Sequence, residues 1–197
     1  MEKYYFRSKF IENAILEKVY KNSIDELTED DIFSINNLVL ENEKKNVKVD
    51  LLDLEKLTNL KSLMLINFKI NNYETNILNR CKSLEKVEFV NCSIVSKSRL
   101  LNESVKSVSI DNCTRMRSSY INKVINVETL IINNIKKFDA HNMVRLAKLE
   151  NLTINNVRVK SAKYLLKIVK LNYLNLINSK YDKSIEKRLA KNIIFEK

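Results

Sequence analysis

The 197-residue sequence predicts an α/β solenoid: a curved horseshoe with a parallel sheet on its concave side and short helices on its convex side. Three observations carry that expectation. A pattern of apolar-x-x-apolar-x-apolar-x-Asn recurs about seven times, its copies are nearly evenly spaced, and the chain contains no Gly, Pro or Trp. Without Gly for positive φ or Pro for a fixed φ, another residue must make the turns.

Seven gap-free copies end at Asn42, Asn67, Asn91, Asn112, Asn134, Asn156 and Asn178, at intervals of 25, 24, 21, 22, 22 and 22 residues. Ahead of each Asn two apolar residues alternate with spacers, as in Leu63 and Leu65 or Val108 and Ile110. A third apolar residue stands three positions earlier: Ile35, Leu60, Leu84, Val105, Val127, Leu149 and Leu171. Alternation puts both strand residues on one face, where they stack on their counterparts in neighbouring rungs. Asn tolerates left-handed backbone angles and its amide bonds nearby backbone groups, so it is expected to end each strand as Gly would.

The returns between strands carry helix-compatible spacing at Ile77, Leu78 and Cys81, at Met143, Leu146 and Ala147, at Leu165, Ile168 and Val169, and at Ile185 and Leu189. Residues 1–31 form the expected N-terminal helical cap. Phe6, Phe10, Ile11, Ala14, Ile15 and Val19 recur at helical spacing, and Ser23-x-x-Glu26 and Thr28-x-x-Asp31 read as N-cap signals. Residues 32–197 form the solenoid, in which Ala190-x-x-Ile193-x-Phe195 predicts an eighth, terminal strand without Asn.

This repeat resembles the leucine-rich-repeat family, whose pattern L-x-x-L-x-L-x-x-N/C-x-L sets Asn or Cys one residue after the regular Asn of this chain. Cys92 and Cys113 match there, so VEFVNCSI and VSIDNCTR look like bacterial-type or Cys-containing short repeats; Glu43, Phe68, Ile135, Val157 and Ser179 depart. The last apolar position is met by Ile70, Ile94, Val159 and Tyr181. Arg115 and Lys137 stand there in two units, with Met116 and Phe138 one residue later, as a local one-residue slip would produce. The resemblance implies the horseshoe.

In that geometry the spacer residues face away from the core and line the concave surface. Met64, Ile66, Val90, Ile131 and Tyr173 are its candidate anchors, and Lys86, Glu88, Ser107, Ser109, Thr129, Asn151, Thr153 and Asn175 its candidate polar contacts. Counting four spacers per repeat, the face holds three basic and six acidic residues, although the whole chain is +11. The positive charge lies elsewhere. Residues 1–114 carry 17 basic and 18 acidic residues, and residues 115–197 carry 18 and 6. Lys160, Lys163, Lys167, Lys170, Lys183, Lys187, Arg188 and Lys191 form a basic patch on the returns.

Catalytic and cofactor sites find little support. His141 is the only histidine, and the absence of Gly removes the phosphate-binding Gly loops. Cys81, Cys92 and Cys113 lack metal-ligand spacing. No metal, cofactor or catalytic residue is expected. No stretch approaches the roughly 20 apolar residues of a membrane span, and charge interrupts the N-terminus, so a cytoplasmic protein is expected. The expected function is non-enzymatic binding of a protein partner, with sequestration or inhibition as its use. An acidic protein or a nucleoprotein would suit the basic half; direct nucleic-acid binding through that half is the alternative.

Overall fold

The computed structural model describes residues 4–95, 101–121, 124–189 and 193–196. Among them, eight strands form one parallel sheet in chain order: Asn37–Glu41, Ser62–Ile66, Lys86–Val90, Ser107–Asp111, Thr129–Asn133, Asn151–Asn155, Tyr173–Ile177 and Ile194–Glu196. The register repeats from rung to rung, Leu63 against Val87, Val87 against Val108, Val108 against Leu130 and Leu130 against Leu152. The core-facing residues of the middle rungs are buried, and one hydrophobic cluster runs from Phe6 to Ile185. Stacking of like positions builds that cluster, each buried Leu or Ile contributing about 1.5–3 kcal/mol.

Asn67, Asn91, Asn112, Asn134, Asn156 and Asn178 all adopt positive φ, between 46° and 71°. The left-handed turn is thus made six times by the residue the repeat supplies. The backbone N–H groups of the first five continue the ladder, as from Asn67 to the Val90 carbonyl and from Asn156 to that of Ile177, both at 3.0 Å. The amides also stack: Asn112 donates to Asn91 at 2.7 Å and Asn156 to Asn134 at 3.0 Å. The first unit departs from the expectation. In that 25-residue repeat the positive φ falls on Asn46, while the Asn42 side chain accepts from the Lys44 N–H at 3.0 Å and its carbonyl accepts from the Asn67 amide at 2.6 Å.

The returns hold the expected short helices, and these are of two kinds. Only α3 (Asn72–Arg80) and the short α4 (Ser118–Ile121) are α-helical among the described returns; Leu52–Lys56, Ala140–Arg145, Ala162–Lys167 and Lys183–Arg188 are 3-10 helices. A 3-10 helix rises about 2.0 Å per residue and eclipses positions i and i+3. The sequence obliges with apolar residues every third position: Leu51, Leu54, Leu57 and Leu60; Ala140, Met143, Leu146 and Leu149; Ala162, Leu165, Ile168 and Leu171. All are buried.

Before the first strand lie α1 (Lys9–Lys18), a 3-10 turn (Ile24–Glu26) and α2 (Glu29–Ser34). Ile11, Ile15 and Leu16 bury one side of α1, and the edge-on contact of Phe10 with Phe68, at 5.6 Å between centroids, joins it to the first rungs. The Asp53 carboxylate, 1% exposed, accepts from the Ser8 N–H at 2.9 Å and pairs with Lys56 at 2.7 Å. Thr28 and Asp31 close a capping box on α2. The Thr28 backbone and hydroxyl both donate to the Asp31 carboxylate and hold it below the ordinary carboxylate value.

The terminal strand is present, in a register two residues later than the apolar spacing suggested. Phe195, not Ile193, stands opposite Leu174, so Ile194 and Glu196 join the strand face. The one-residue slip is also visible. Phe138 pairs with Val159 and Lys137 with Arg158, although Phe138 lies one residue farther from its Asn; Arg115, at φ 58°, marks the slip in the preceding unit.

Candidate functional site

The strand spacers form three rows across the sheet. The first holds Asn37, Ser62, Lys86, Ser107, Thr129, Asn151, Tyr173 and Ile194. The middle row runs Val39, Met64, Glu88, Ser109, Ile131, Thr153, Asn175 and Glu196, and the third Glu41, Ile66, Val90, Asp111, Asn133, Asn155 and Ile177. The structure therefore brings all thirteen sequence-predicted face residues onto one surface. Lys86 and Asn151 are exposed, Asn175 is buried, and the other ten are half-buried. The rows hold one base, Lys86, against Glu41, Glu88, Asp111 and Glu196, a charge of −3. Lys86 is itself paired with Glu88 at 2.8 Å.

The two ends of this face differ. At the N-terminal end Val39, Met64, Ile66 and Val90 form an apolar area, with Val39 54% exposed. Beside it α1 closes a groove of about 650 Å³ lined by Phe10, Ala14, Lys18, Tyr20 and Val39 among others, and Tyr20 is 94% exposed. Lys18 ties α1 to the first strand through Asn37 at 2.6 Å. At the C-terminal end the Tyr173 hydroxyl donates to Glu196 at 2.5 Å, and the Asn175 amide nitrogen donates to Tyr173 at 3.0 Å and Glu196 at 3.1 Å. The Glu196 carboxylate only accepts, which fixes that amide orientation. It also raises the Tyr173 hydroxyl above the ordinary tyrosine value. The buried side-chain oxygens of Asn155 and Asn175 have no hydrogen-bond partner among the described residues. This end is polar and carries the Glu196 charge.

Sequence reasoning missed Tyr20 and Glu196 as parts of this surface. Glu196 follows once Phe195 is aligned with Leu174; Tyr20 lies outside the repeat, where no periodicity points to it.

The predicted basic patch lies off the face. Lys160 ends the short strand Arg158–Lys160, Lys163 and Lys167 lie on the Ala162–Lys167 return, Lys170 follows it, and Lys183, Lys187 and Arg188 lie on the last return, all exposed. Lys191 falls outside the described residues. Lys163 and Lys167 sit over the Tyr164 ring at 5.5 and 5.1 Å, and His141 meets its edge at 4.3 Å. Lysines thus occupy the Tyr164 ring, a platform on which a base could otherwise stack.

The cysteines serve the turns. The Cys92 thiol donates to the Leu65 carbonyl of the preceding rung at 3.2 Å, and Cys113 to that of Phe89 at 3.4 Å. Ser179 repeats the bond to Ile154 at 3.1 Å. The neighbouring Cys92 thiol and burial hold Cys113 far above the ordinary thiol value, and burial, aided by Glu55, pushes Cys81 up to about 11. Burial at both opposes the thiolate that nucleophilic or metal chemistry needs. Among the described residues no group of three or more His, Cys, Asp or Glu converges to hold a metal, and no helix is long and apolar enough to cross a membrane.

No protein-family model matches the sequence, and no curated protein matches it significantly. Solved structures do match. Internalin C2 of Listeria monocytogenes superposes with a TM-score of 0.65 at 19% identity, over 96% of this chain and 83% of that one. InlP of the same organism gives 0.57 at 13% identity, over 88% and 58%. The leucine-rich repeat domain of the type III effector XopL gives 0.52 at 13% identity, over 95% and 89%. At these identities the likeness is one of architecture, and with the stacked rungs and Asn turns it gives this chain the leucine-rich-repeat fold.

Proposed function

We propose that the chain is a non-enzymatic binding module whose strand face docks a segment of a protein partner. The observation that carries this reading is an uncovered parallel sheet. Such sheets are normally buried on both faces, yet here the spacer rows stay half or fully exposed along nearly the whole stack. The rows pair an apolar area at one end with polar groups at the other, and apolar anchors combined with polar contacts are the ingredients of a protein interface.

The partner segment is apolar where it meets Val39, Met64, Ile66 and Val90, and cationic where it meets Tyr173, Asn175 and Glu196. The −3 charge of the rows favours that sign. Occupying a partner's surface in this way would sequester or block it. The test is photo-crosslinking in the native host, with p-benzoylphenylalanine incorporated at Met64, Ile131 or Thr153 on the face and at Tyr164 or Lys170 on the returns. Adducts to a protein from the face positions alone are expected. Adducts from the return positions alone, or none from the face, would overturn the reading.

A further inference from the structure

Two adjoining grooves open along the Asn turns, past the C-terminal ends of the strands. One, of about 540 Å³, is lined by Asn134, Lys136, Asn156, Arg158, Asn178 and Lys180 with two apolar neighbours. The other, of about 510 Å³, shares Lys136 and Arg158 and adds Arg115 and Lys137. Neither lining includes an acidic or an aromatic residue. Apart from Lys180, which the sequence already places among the lysine-rich returns, these cations are not part of the expected basic patch; Arg115 and Lys137 fill positions that the repeat reserves for apolar residues.

The repeat sets their spacing. Lys137 pairs in register with Arg158, and Arg158 bridges to Lys180, so three successive rungs each present a cation at a spacing of about 4.8 Å. All three are exposed, and among the described residues none forms an ion pair. Asp111, at the edge of the strand face, and Asp139, next to Lys137, accept from the Asn134 amide at 2.7 Å and the His141 N–H at 3.0 Å, and neither lines the grooves. Lys160, with Arg158 adding, holds Lys137 below the ordinary lysine value, and Asp139 offsets only part of this. The flank therefore holds like charges in mutual repulsion, which a bound anion would convert into attraction.

Two features choose the kind of anion. A single-stranded nucleic acid is held by stacking as well as charge, and the linings provide no ring to stack on. The Asn134, Asn156 and Asn178 amides do recur at rung spacing beside the cations, and beyond the bonds from Asn156 to Asn134 and from Asn134 to Asp111 each NH2 keeps a second N–H for an extended backbone. From the Arg115 rung to the Lys180 rung is about 14 Å, or roughly four extended residues. We propose that this flank docks an acidic, extended peptide segment, its carboxylates on Lys137, Arg158 and Lys180 and its backbone along the Asn amides. The site is separate from the strand face and of opposite sign, so either can fail alone.

Fluorescence anisotropy on the full chain, with labelled octaglutamate, octaglutamine and octathymidylate, tests it. Two double variants change net charge equally: Lys136→Glu with Arg158→Glu on the flank, and Lys163→Glu with Lys170→Glu on the return. Octaglutamate should bind, weaken with added salt, lose about tenfold or more in the flank variant and stay within about twofold in the return variant; octaglutamine should not bind. No octaglutamate binding, equal loss in both variants, or tighter binding of octathymidylate lost in the flank variant would each overturn the proposal. Thermal melts check folding, and if the flank pair does not fold, Arg158→Gln alone should still weaken octaglutamate severalfold.

Discussion

The strand face and the Asn-turn flank are built from neighbouring positions of one repeat, yet the first carries −3 over its three rows and the second gathers Arg115, Lys136, Lys137, Arg158 and Lys180 with no acid in its linings. The contrast teaches where a repeat leaves freedom. Core positions must stack, as Leu130 does on Val108 and Leu152, and the turn position must accept a left-handed backbone, as Asn156 does at φ 55°. What lies between is exposed and unconstrained by the fold. Charge can therefore be sorted by position along each unit, and an overall +11 says little about any single surface.

The sharpest division is between adjacent residues of one rung. Leu130 is fully buried and Ile131 half-buried on the face. Leu130→Ala should cost about 2–5 kcal/mol through lost burial and the cavity left behind, whereas Ile131→Ala should stay within about 0.5 kcal/mol. Urea denaturation of both variants checks this, and comparable losses would erase the distinction between scaffold and surface.

A smaller effect separates the turn from the groove beside it. Asn156→Ala should cost roughly 1–2 kcal/mol, because Ala resists the left-handed region, while Asn156→Gly should recover most of that loss since Gly takes positive φ freely. Equal losses in the two variants would mean that the amide bond to Asn134, not the backbone angle, is what the position requires.

The smallest effect lies outside the repeat. Thr28→Ala removes the cap of α2 and should cost about 1 kcal/mol. Because Thr28 holds the folded Asp31 carboxylate below its ordinary value of 3.8, that stabilisation is complete above 3.8 and drains as pH falls through the depressed value. The gap between wild type and variant in urea should narrow over the same acid window. A gap independent of pH would leave Asp31 without a part in the cap.

The rungs and the Asn turns were legible in the sequence because stacking repeats the same demand at the same position. Elsewhere the repeat spoke less clearly. Short windows such as Met143, Leu146 and Ala147 fit α-helical spacing, and the distinguishing signal was the longer row at every third residue, Ala140, Met143, Leu146 and Leu149, which a 3-10 helix eclipses. For the terminal strand, which lacks an Asn to anchor it, the apolar spacing points to Ile193, whereas Phe195 holds the equivalent place. In the first unit the extra residues moved the left-handed turn from Asn42 to Asn46. The face residues could be named in advance since alternation assigns their side. Of the flank cations Lys180 already belongs to the lysine-rich returns, and only register sets Lys137 beside Arg158 despite unequal distances from their Asn residues.

The central claim is that the strand face, not the returns, is where a protein partner docks. Its most direct measurement is the affinity of a partner captured from the native host for three forms of the chain with matched melting behaviour: wild type, Met64→Glu with Ile131→Glu, and Lys163→Glu with Lys170→Glu. The account predicts at least about tenfold weaker binding for the face variant, as expected when interface anchors are lost, and no more than about twofold for the return variant. Full-strength binding by the face variant would contradict it.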